Sequence, residues 1–353
     1  MKLGIIGLPQ SGKTTVFNAL TRGDRPVTMS GGRFEVHMAV VDVPDPRIVE
    51  LSQLFSPKKT TYAKVTYADI AGLEGSAGGN ISGPLLTQLS QMDGFIHVVR
   101  CFESDSVPNA AESIDPQRDV DTMEVEFIIN DLIIVERKLE RLAEEKLRNA
   151  RDKGEIERER ELFERLMTHL SEEKPLREFE FSRAELKITS GYGFLSSKDL
   201  LIVLNLGEDQ AAPAIDYPCQ VCVVSLQGQL EMEISQLPPD DAQLFMEEYD
   251  IAEPSLNRMI RNSYALMNLQ SFFTVGEDEV RAWTVRQGAV APEAAGVIHS
   301  DLQKGFIRAE VIPYQELVSL GSMTAARSKG KLRLEGKEYL VQDGDIMHVR
   351  FNV

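Results

Sequence analysis

Gly7-Leu8-Pro9-Gln10-Ser11-Gly12-Lys13-Thr14 forms a complete G-x-x-x-x-G-K-[ST] phosphate loop, and its chemistry follows from the residue types. The glycines let backbone N–H groups close on an anionic polyphosphate, and the helix starting near Lys13 adds the positive end of its dipole. Lys13 is expected to reach the β/γ-phosphates and Thr14 to offer its hydroxyl to Mg²⁺. Gly7, Pro9, Gln10, Ser11, Gly12 and Thr15 supply the rest of the cradle. The apolar run Lys2 to Ile6 before the loop and the helix-like Thr15 to Leu20 after it give the strand–loop–helix context the motif requires. A glycine-rich turn without phosphate would not need those flanks.

Three further places bear on the same chemistry. Asp69-Ile70-Ala71-Gly72 closes an apolar-leaning strand as a D-x-x-G; there Asp69 can hold Mg²⁺, directly or through water, while the Gly72 N–H faces a γ-phosphate, the alternative being a plain turn. Asn205-Leu206-Gly207-Glu208 closes a second strand, where guanine-specific switches carry N-K-x-D. Leu206 in place of lysine and Glu208 in place of aspartate shift the carboxylate by a methylene, which favours ATP and leaves GTP as the alternative. Ser225 and Leu226, after the next apolar strand, would form the last wall of the base pocket. Leu73 stands where Ras-type switches place the glutamine that orients the attacking water. Hydrolysis is then slow, or the water is positioned by another group, a bound partner or a monovalent cation such as K⁺.

These residues need elements to position them. Leu3–Ile6, Glu35–Val43, Ala63–Asp69, Gly94–Val99, Leu200–Leu204 and Gln220–Ser225 read as strands interleaved with helices, an α/β pattern with a parallel sheet covered on both faces. From Asp121 the chain turns into charged helix. Ile128, Leu132, Val135, Leu139 and Leu142 form a heptad seam, Asp152-Lys153-Gly154 a turn, and Phe163, Leu166 and Leu170 a return stripe. The expectation is a P-loop domain in two segments, 1–120 and 193–270, interrupted by a helical hairpin over 121–192. Beyond Ser271 come short strands at Ala282–Val285, Gly305–Val311, Leu332–Leu334, Tyr339–Val341 and Met347–Phe351 with Asp-Gly punctuation, a β-rich module over 271–353.

Composition bounds the partners. The 353 residues are 42% hydrophobic and 26% charged, with no apolar run of membrane-spanning length, so a cytoplasmic address without membrane contact is expected. Cys101, Cys219 and Cys222 are too few for a disulfide framework, and the C-x-x-C pair lies in a strand-like run with no histidine near it, which favours buried thiols over zinc. The net charge of −17 opposes unspecific binding to nucleic acid or an anionic membrane. From Ser271 onward, however, eleven acidic residues face ten basic ones, and Arg327-Ser328-Lys329-Gly330-Lys331-Leu332-Arg333 is a basic run that could take phosphates.

Val43-Pro44-Asp45-Pro46-Arg47, Asp69 to Leu73, Val98 to Glu103, Glu253 to Arg258, Glu279 to Thr284, Ala295 to His299, Lys304 to Glu310 and Val341 to Asp345, with the phosphate loop, resemble the YchF/Obg-like ATPase family over nearly the whole chain. The resemblance implies a TRAFAC-class P-loop G domain with an inserted arm and a C-terminal TGS domain of ubiquitin-like, β-grasp type. It implies a Mg²⁺-dependent, slow ATPase that acts as a monomer and associates with the ribosome, at the large subunit or its rRNA, through the TGS domain and the arm. The chain departs from the family pattern at Gln10-Ser11, where Asn-Val is usual, at Arg33 near the place of the switch I threonine, and at Asn109, where a histidine is frequent. These departures keep a second class open, a nucleotide-gated RNA or protein adaptor with negligible turnover, besides a GTPase.

Overall fold

A computed structural model describes residues 1–23, 36–70, 81, 83–104, 107, 113–148, 151–217, 222–249, 251 and 253–352. In chain order the first elements are β1 (Lys2–Ile6), α1 (Lys13–Thr21), β2 (Val36–Asp42), α2 (Pro46–Phe55), β3 (Lys59–Thr61), β4 (Lys64–Ile70), α3 (Gly83–Ser90) and β5 (Gly94–Arg100). Then follow α4 (Pro116–Arg148), α5 (Lys153–Ser171), α6 (Arg183–Thr189), β6 (Asp199–Asn205), β7 (Cys222–Leu226), α7 (Gly228–Gln236), α8 (Pro239–Glu248) and α9 (Ser255–Leu266). The chain ends with β8 (Leu269–Thr274), β9 (Glu279–Arg286), α10 (Ala291–Ile298), α11 (Ser300–Lys304), β10 (Phe306–Pro313), α12 (Tyr314–Leu320), α13 (Met323–Ser328), β11 (Arg333–Glu335) and β12 (Asp345–Phe351). No helix among the described residues is long and apolar enough to cross a membrane.

Two compact units result, Met1–Ala39 with Thr66–Leu256 and Val40–Val65 with Asn257–Val353. The first is built on a sheet of order β2-β4-β1-β5-β6-β7. β1 pairs in parallel with β4 and β5, β5 with β6, and β6 with β7, as continuous apolar strands require. Ile6, Ile70, Leu85, Leu89, Phe95 and Leu200 form a buried core on this sheet. The helix expected from Asp121 begins earlier, at Pro116, because Met123 and Phe127 in its first turns pack into that same core. Further along, Ile128 and Val135 meet Phe163, Leu166 and Leu170 of α5, the hairpin seam read from the heptads. Asp152 caps α5 by accepting from the Glu155 N–H at 3.0 Å. At the root of the arm the buried Asp131 accepts from the backbone N–H groups of Leu195 and Ser196, both at 2.8 Å, and from the Ser196 hydroxyl at 2.6 Å. Burial still pushes its carboxyl up to about 6.

The second unit differs from expectation in membership and in content. Residues 40–65, read as part of the nucleotide domain, cluster with the C-terminal strands because β3 pairs in parallel with β9, Lys59 opposite Glu279 and Thr61 opposite Arg281. The sheet order is β11-β10-β12-β8-β9-β3. β8 and helices α10 to α13 go beyond the strands and turns read there, while Tyr339–Val341 contributes a single bridge, Val290 to Leu340, in place of a strand. The Ala-rich α10 lacks the bulky stripe that signals a helix; Ala291, Ala294 and Ala295 are small enough to lie flat on the sheet and are fully buried.

Two sequence blocks meet inside this unit. Asp45 caps α2 through the Arg47 N–H at 2.9 Å and takes the Arg47 guanidinium, Nη2 to Oδ2, at 2.8 Å. The same guanidinium reaches Asp343 through Nη1 at 2.7 Å and lies over the Phe273 ring at 5.2 Å. Asp343 in turn accepts from the Ser271 N–H at 3.0 Å. Replacing Arg47 by Met is expected to destabilise the chain by about 1–2 kcal/mol, since the two carboxylates lose their shared cation at a half-buried place. An unfolding midpoint in urea equal to that of the unaltered protein would show the network to be screened by solvent.

Candidate nucleotide site

β1 runs directly into the phosphate loop, and two glycines there admit no side chain. Gly7 has φ +153°, and a Cβ on it would stand 2.3 Å from the Val98 carbonyl oxygen of β5. Gly12 has φ +93°, and a Cβ on it would stand 2.2 Å from Asn205 Nδ2. Gln10 also adopts a left-handed φ, 61°, a conformation that costs a longer side chain more than asparagine. Gln10 Oε1 and Ser11 Oγ are buried within the loop without a hydrogen-bond partner. Lys13 crosses back over the loop, donating from Nζ to the carbonyls of Gly7 at 2.9 Å and Leu8 at 2.8 Å. Its ammonium is thereby held at the mouth of the cradle.

Thr14 and Asp69, taken from different elements, converge as the sequence suggested: the Thr14 hydroxyl donates to Asp69 Oδ2 at 3.1 Å, and Asp69 is 5% exposed. A hydroxyl and a carboxylate at hydrogen-bond distance are hard oxygen donors of the kind Mg²⁺ takes from protein when phosphates complete its shell, so the residues fit the ion. Gly72 and Leu73 of the D-x-x-G stretch, Arg33 and Asn109 lie outside the described residues, as does Cys219. Cys101 is buried at the end of β5, and burial pushes its thiol up to about 12, so it carries no thiolate chemistry.

Asn205, expected at the base site, also ties backbone together. Its Nδ2 donates to the Ser11 carbonyl at 3.0 Å and its Oδ1 accepts from the Gly228 N–H at 2.9 Å. The side chain therefore joins the phosphate loop, the end of β6 and the β7–α7 turn, with one donor and one lone pair engaged by backbone. It still borders a cavity of about 530 Å³, a size that suits a nucleoside, lined also by Gly12, Thr15, Leu206 and Glu208. Ser225 and Leu226 do not line it. Leu226 points into the core, and its carbonyl accepts from the Leu206 N–H at 2.8 Å, so the wall begins one residue on, at Gln227, Gln229 and Leu230.

Phe102 and Tyr249 also line the cavity, and neither had a role in the reading of the sequence. The Arg100 guanidinium lies over the Phe102 ring at 4.5 Å and donates to the carbonyls of Phe102 at 3.1 Å and Val107 at 2.8 Å, bracing the loop that carries the ring. Gln210 ties the Gly207 turn to the end of β5, accepting from the Gly207 N–H at 2.9 Å and donating to the Cys101 carbonyl at 2.7 Å. An aromatic ring held from behind is a stacking platform for a base. The block Val98 to Glu103 marked this stretch; what hid Phe102 was that an aromatic after a buried strand reads as core.

Sheet and loop together define a P-loop nucleotide-binding α/β protein. The family model YchF-GTPase_C, described as a protein of unknown function (DUF933), matches residues 269–352. The chain is 39% identical to the Ribosome-binding ATPase YchF of Bacillus subtilis, aligned over 99% of both chains. It is 36% identical to the protein of that name in Escherichia coli O157:H7, over 100% of this chain and 99% of the relative. Against Obg-like ATPase 1 of Oryza sativa subsp. japonica it is 35% identical, over 100% and 92%. The solved structure of the Schizosaccharomyces pombe YchF GTPase superposes with a TM-score of 0.83 at 30% identity, covering 99% of this chain and 97% of the other. The chain belongs to the YchF family.

Two outcomes test this geometry. Asn205→Ala removes both backbone ties of the loop and is expected to weaken nucleotide binding by about tenfold or more, read by calorimetry, with the fold intact by circular dichroism. His97 of β5 is fully buried, and burial, with a smaller contribution from the Lys13 charge, holds its imidazole down at about 3 against an ordinary 6.5. The unfolded chain thus binds a proton that the folded chain refuses, and stability falls as pH drops below 6.5, by about 1.4 kcal/mol per pH unit from this group. His97→Leu should flatten the stability–pH curve in that window; curves that stay parallel would refute the assignment.

Proposed function

We propose that this chain is an ATP-binding, ribosome-associated P-loop ATPase of the cytoplasm. The observation that carries the reading is the continuity of the site: Gly12 and Thr15, at the end of the phosphate cradle, are also walls of the base-sized cavity that Phe102 and Leu206 border. One nucleotide can therefore lie with its phosphates on the loop and its base beside Phe102. The names of the relatives, ribosome-binding ATPase in two cases, support the same reading.

Within it, the backbone N–H groups of Gln10 to Thr15 and the α1 dipole orient the phosphates, Lys13 places its charge on the β/γ oxygens, and Thr14 with Asp69 would hold Mg²⁺. Bound there, the ion would supply neutralisation of the negative charge on the phosphate oxygens. Water attacks the γ-phosphorus, the bond to the β-γ bridging oxygen breaks, and ADP and phosphate leave with one proton released. The Gly72 N–H would sense the γ-phosphate. Leu73 offers no hydrogen bond to the attacking water, so turnover is slow unless a partner or K⁺ orients it. Glu208 beside Leu206 disfavours guanine. The solved Schizosaccharomyces pombe relative is named a GTPase, which keeps guanine nucleotide as the second reading. The 271–353 module, read as a TGS domain, and the α4–α5 arm are the surfaces offered to the large ribosomal subunit, with the chain acting as a monomer.

Lys13→Ala is expected to lower ATP turnover at least about a hundredfold, because a fixed charge on the developing anion is lost. Equal rates, or calorimetric titrations in which GTP binds more tightly than ATP, would overturn the assignment.

A further inference from the structure

A polar junction outside the nucleotide site joins α3 to the arm. Lys198, the residue before β6, sends its side chain past the Phe95 ring, with Nζ 5.5 Å from the ring centroid, to the C-terminal end of α3. There Nζ donates to the carbonyls of Leu89 at 2.7 Å, Ser90 at 2.7 Å and Met92 at 2.6 Å. An ammonium has three donors, and all three are used on carbonyls at a helix end, where the helix itself offers no partner. α3 carries no basic residue in its own last turn, and a cation 109 residues beyond Leu89 takes that place. Gly193, with φ +64°, lies against the same end: a Cβ on it would stand 2.8 Å from the Ser90 Cβ. Among the described residues, the hydrogen bonds that tie α3 to another element all lie at this end.

The other side of the 193–198 segment is clamped to the arm. The N–H groups of Leu195 and Ser196 end on Asp131 of α4. The Ser196 hydroxyl donates to Asp131 at 2.6 Å and accepts from the Leu176 N–H, beyond the end of α5, at 3.1 Å. Arg177 donates from its backbone N–H to the Ser196 carbonyl at 3.0 Å and from Nε to the Lys198 carbonyl at 3.0 Å. Its Nη1 pairs with Glu124 of α4 at 2.7 Å. Leu195 and Ser196 are fully buried. The segment is a short span held by a helix end on one side and by the root of the arm on the other.

Leu85 and Leu89 of α3 also share a core with Met123 and Phe127 of α4. Apolar packing has no preferred direction and lets one helix slide or turn on another. Charge-assisted hydrogen bonds fix both position and angle, so the Lys198 contacts decide where the end of α3 sits. α3 is the first helix after Asp69-Ile70-Ala71-Gly72, and its opposite end leads back to Asp69 of the nucleotide site. A helix of 8 residues is a rod of about 12 Å, here pinned at one end and reached by the nucleotide from the other. In a close-packed interior such a rod passes a displacement on to what it touches.

We propose that Lys198 is a positioning residue of the nucleotide cycle: it pins the C-terminal end of α3 to the 193–198 segment, so that a shift of α3 imposed from the Asp69 side reaches Asp131 and the root of the α4–α5 arm. The inference rests on the ATPase reading, because a γ-phosphate present in ATP and absent in ADP is the contact that distinguishes two positions of α3. It goes beyond that reading in assigning the residue and the path by which the arm follows the nucleotide. By linkage, whatever the arm binds acts back on nucleotide affinity through the same bonds.

The test is hydrogen–deuterium exchange of the full chain with Mg²⁺ and either ADP or a non-hydrolysable ATP analogue. In the parent, exchange over 193–198 and over the first turns of α4 is expected to differ between the two ligands by at least about threefold. Lys198→Met keeps the reach of the side chain and removes its donors. It should abolish that difference while both nucleotides bind within about threefold of the parent. Its kcat should fall at least about fivefold with KM little changed, the split expected of a group that orders the site without touching substrate. A purely structural role would raise exchange equally with both ligands and leave the difference in place, which would count against the proposal. Lys187→Met, at an exposed position of α6, should behave as the parent. Ser196→Ala cuts the hydroxyl bonds to Asp131 and Leu176 and leaves Lys198 in place. It should keep the ligand difference over 193–198 and shrink it in α4, and it decides the matter if Lys198→Met folds poorly.

Equal exchange with the two ligands in the parent, an undiminished difference in Lys198→Met, or an undiminished α4 difference in Ser196→Ala would overturn the proposal. ATP calorimetry on the same samples separates the two readings. Normal ATP binding without a ligand difference removes the relay alone, whereas absence of ATP binding removes the ATPase reading and the relay with it.

Discussion

The nucleotide site depends on the Asn205 side-chain amide. A phosphate loop is a run of backbone with its N–H groups turned outward, and it cannot hold itself in that shape, because it has neither a ladder nor a helix of its own to satisfy it. Here one short side chain closes the circuit, taking the Ser11 carbonyl on one side and the Gly228 N–H on the other. The arrangement is so close that a methyl group on Gly12 would collide with the amide nitrogen, just as one on Gly7 would collide with the Val98 carbonyl of β5. The two glycines of the motif are thus demanded by the loop's neighbours in the sheet as much as by any ligand.

That constraint explains what could be seen in the sequence and what could not. The loop, Thr14 and Asp69 were legible because their chemistry is local: residue type and distance from a strand end dictate the role. The strands of the first sheet and the α4–α5 hairpin were legible because apolar runs and heptads are periodic along the chain. The task of Asn205 was not, since it depends on Ser11 and Gly228, distant in sequence and fixed only by the order of β1, β5, β6 and β7. Phe102 was hidden for a similar reason: that its ring is braced by Arg100 and faces a cavity is visible only when the loop after β5 is folded back.

In the second unit, conspicuous motifs turned out to join each other. Asp45-Pro46-Arg47 and Asp343-Gly344 look like chemistry when read separately, with charges held by prolines and a glycine. Folded, the Arg47 guanidinium is shared by Asp45 and Asp343, and Asp343 also holds the Ser271 N–H. Their job is to bind Val40–Val65 to strands more than two hundred residues later in the chain. Without that pairing β3 would read as a loop, which is why a boundary drawn from composition placed the segment with the nucleotide domain.

The phosphate loop and the exposed charges of the second unit follow different physics. At the loop, apart from Lys13, the donors are backbone N–H groups and a helix end, which carry partial charges, are fixed before the ligand arrives and lie in a partly buried place where salt screens them little. On β10 and β12, by contrast, full charges sit on exposed side chains, where Arg350 and Arg327 both meet Glu310 and salt screens them strongly. The cradle tolerates a net charge of −17 because its donors are fixed backbone groups and its selectivity comes from shape.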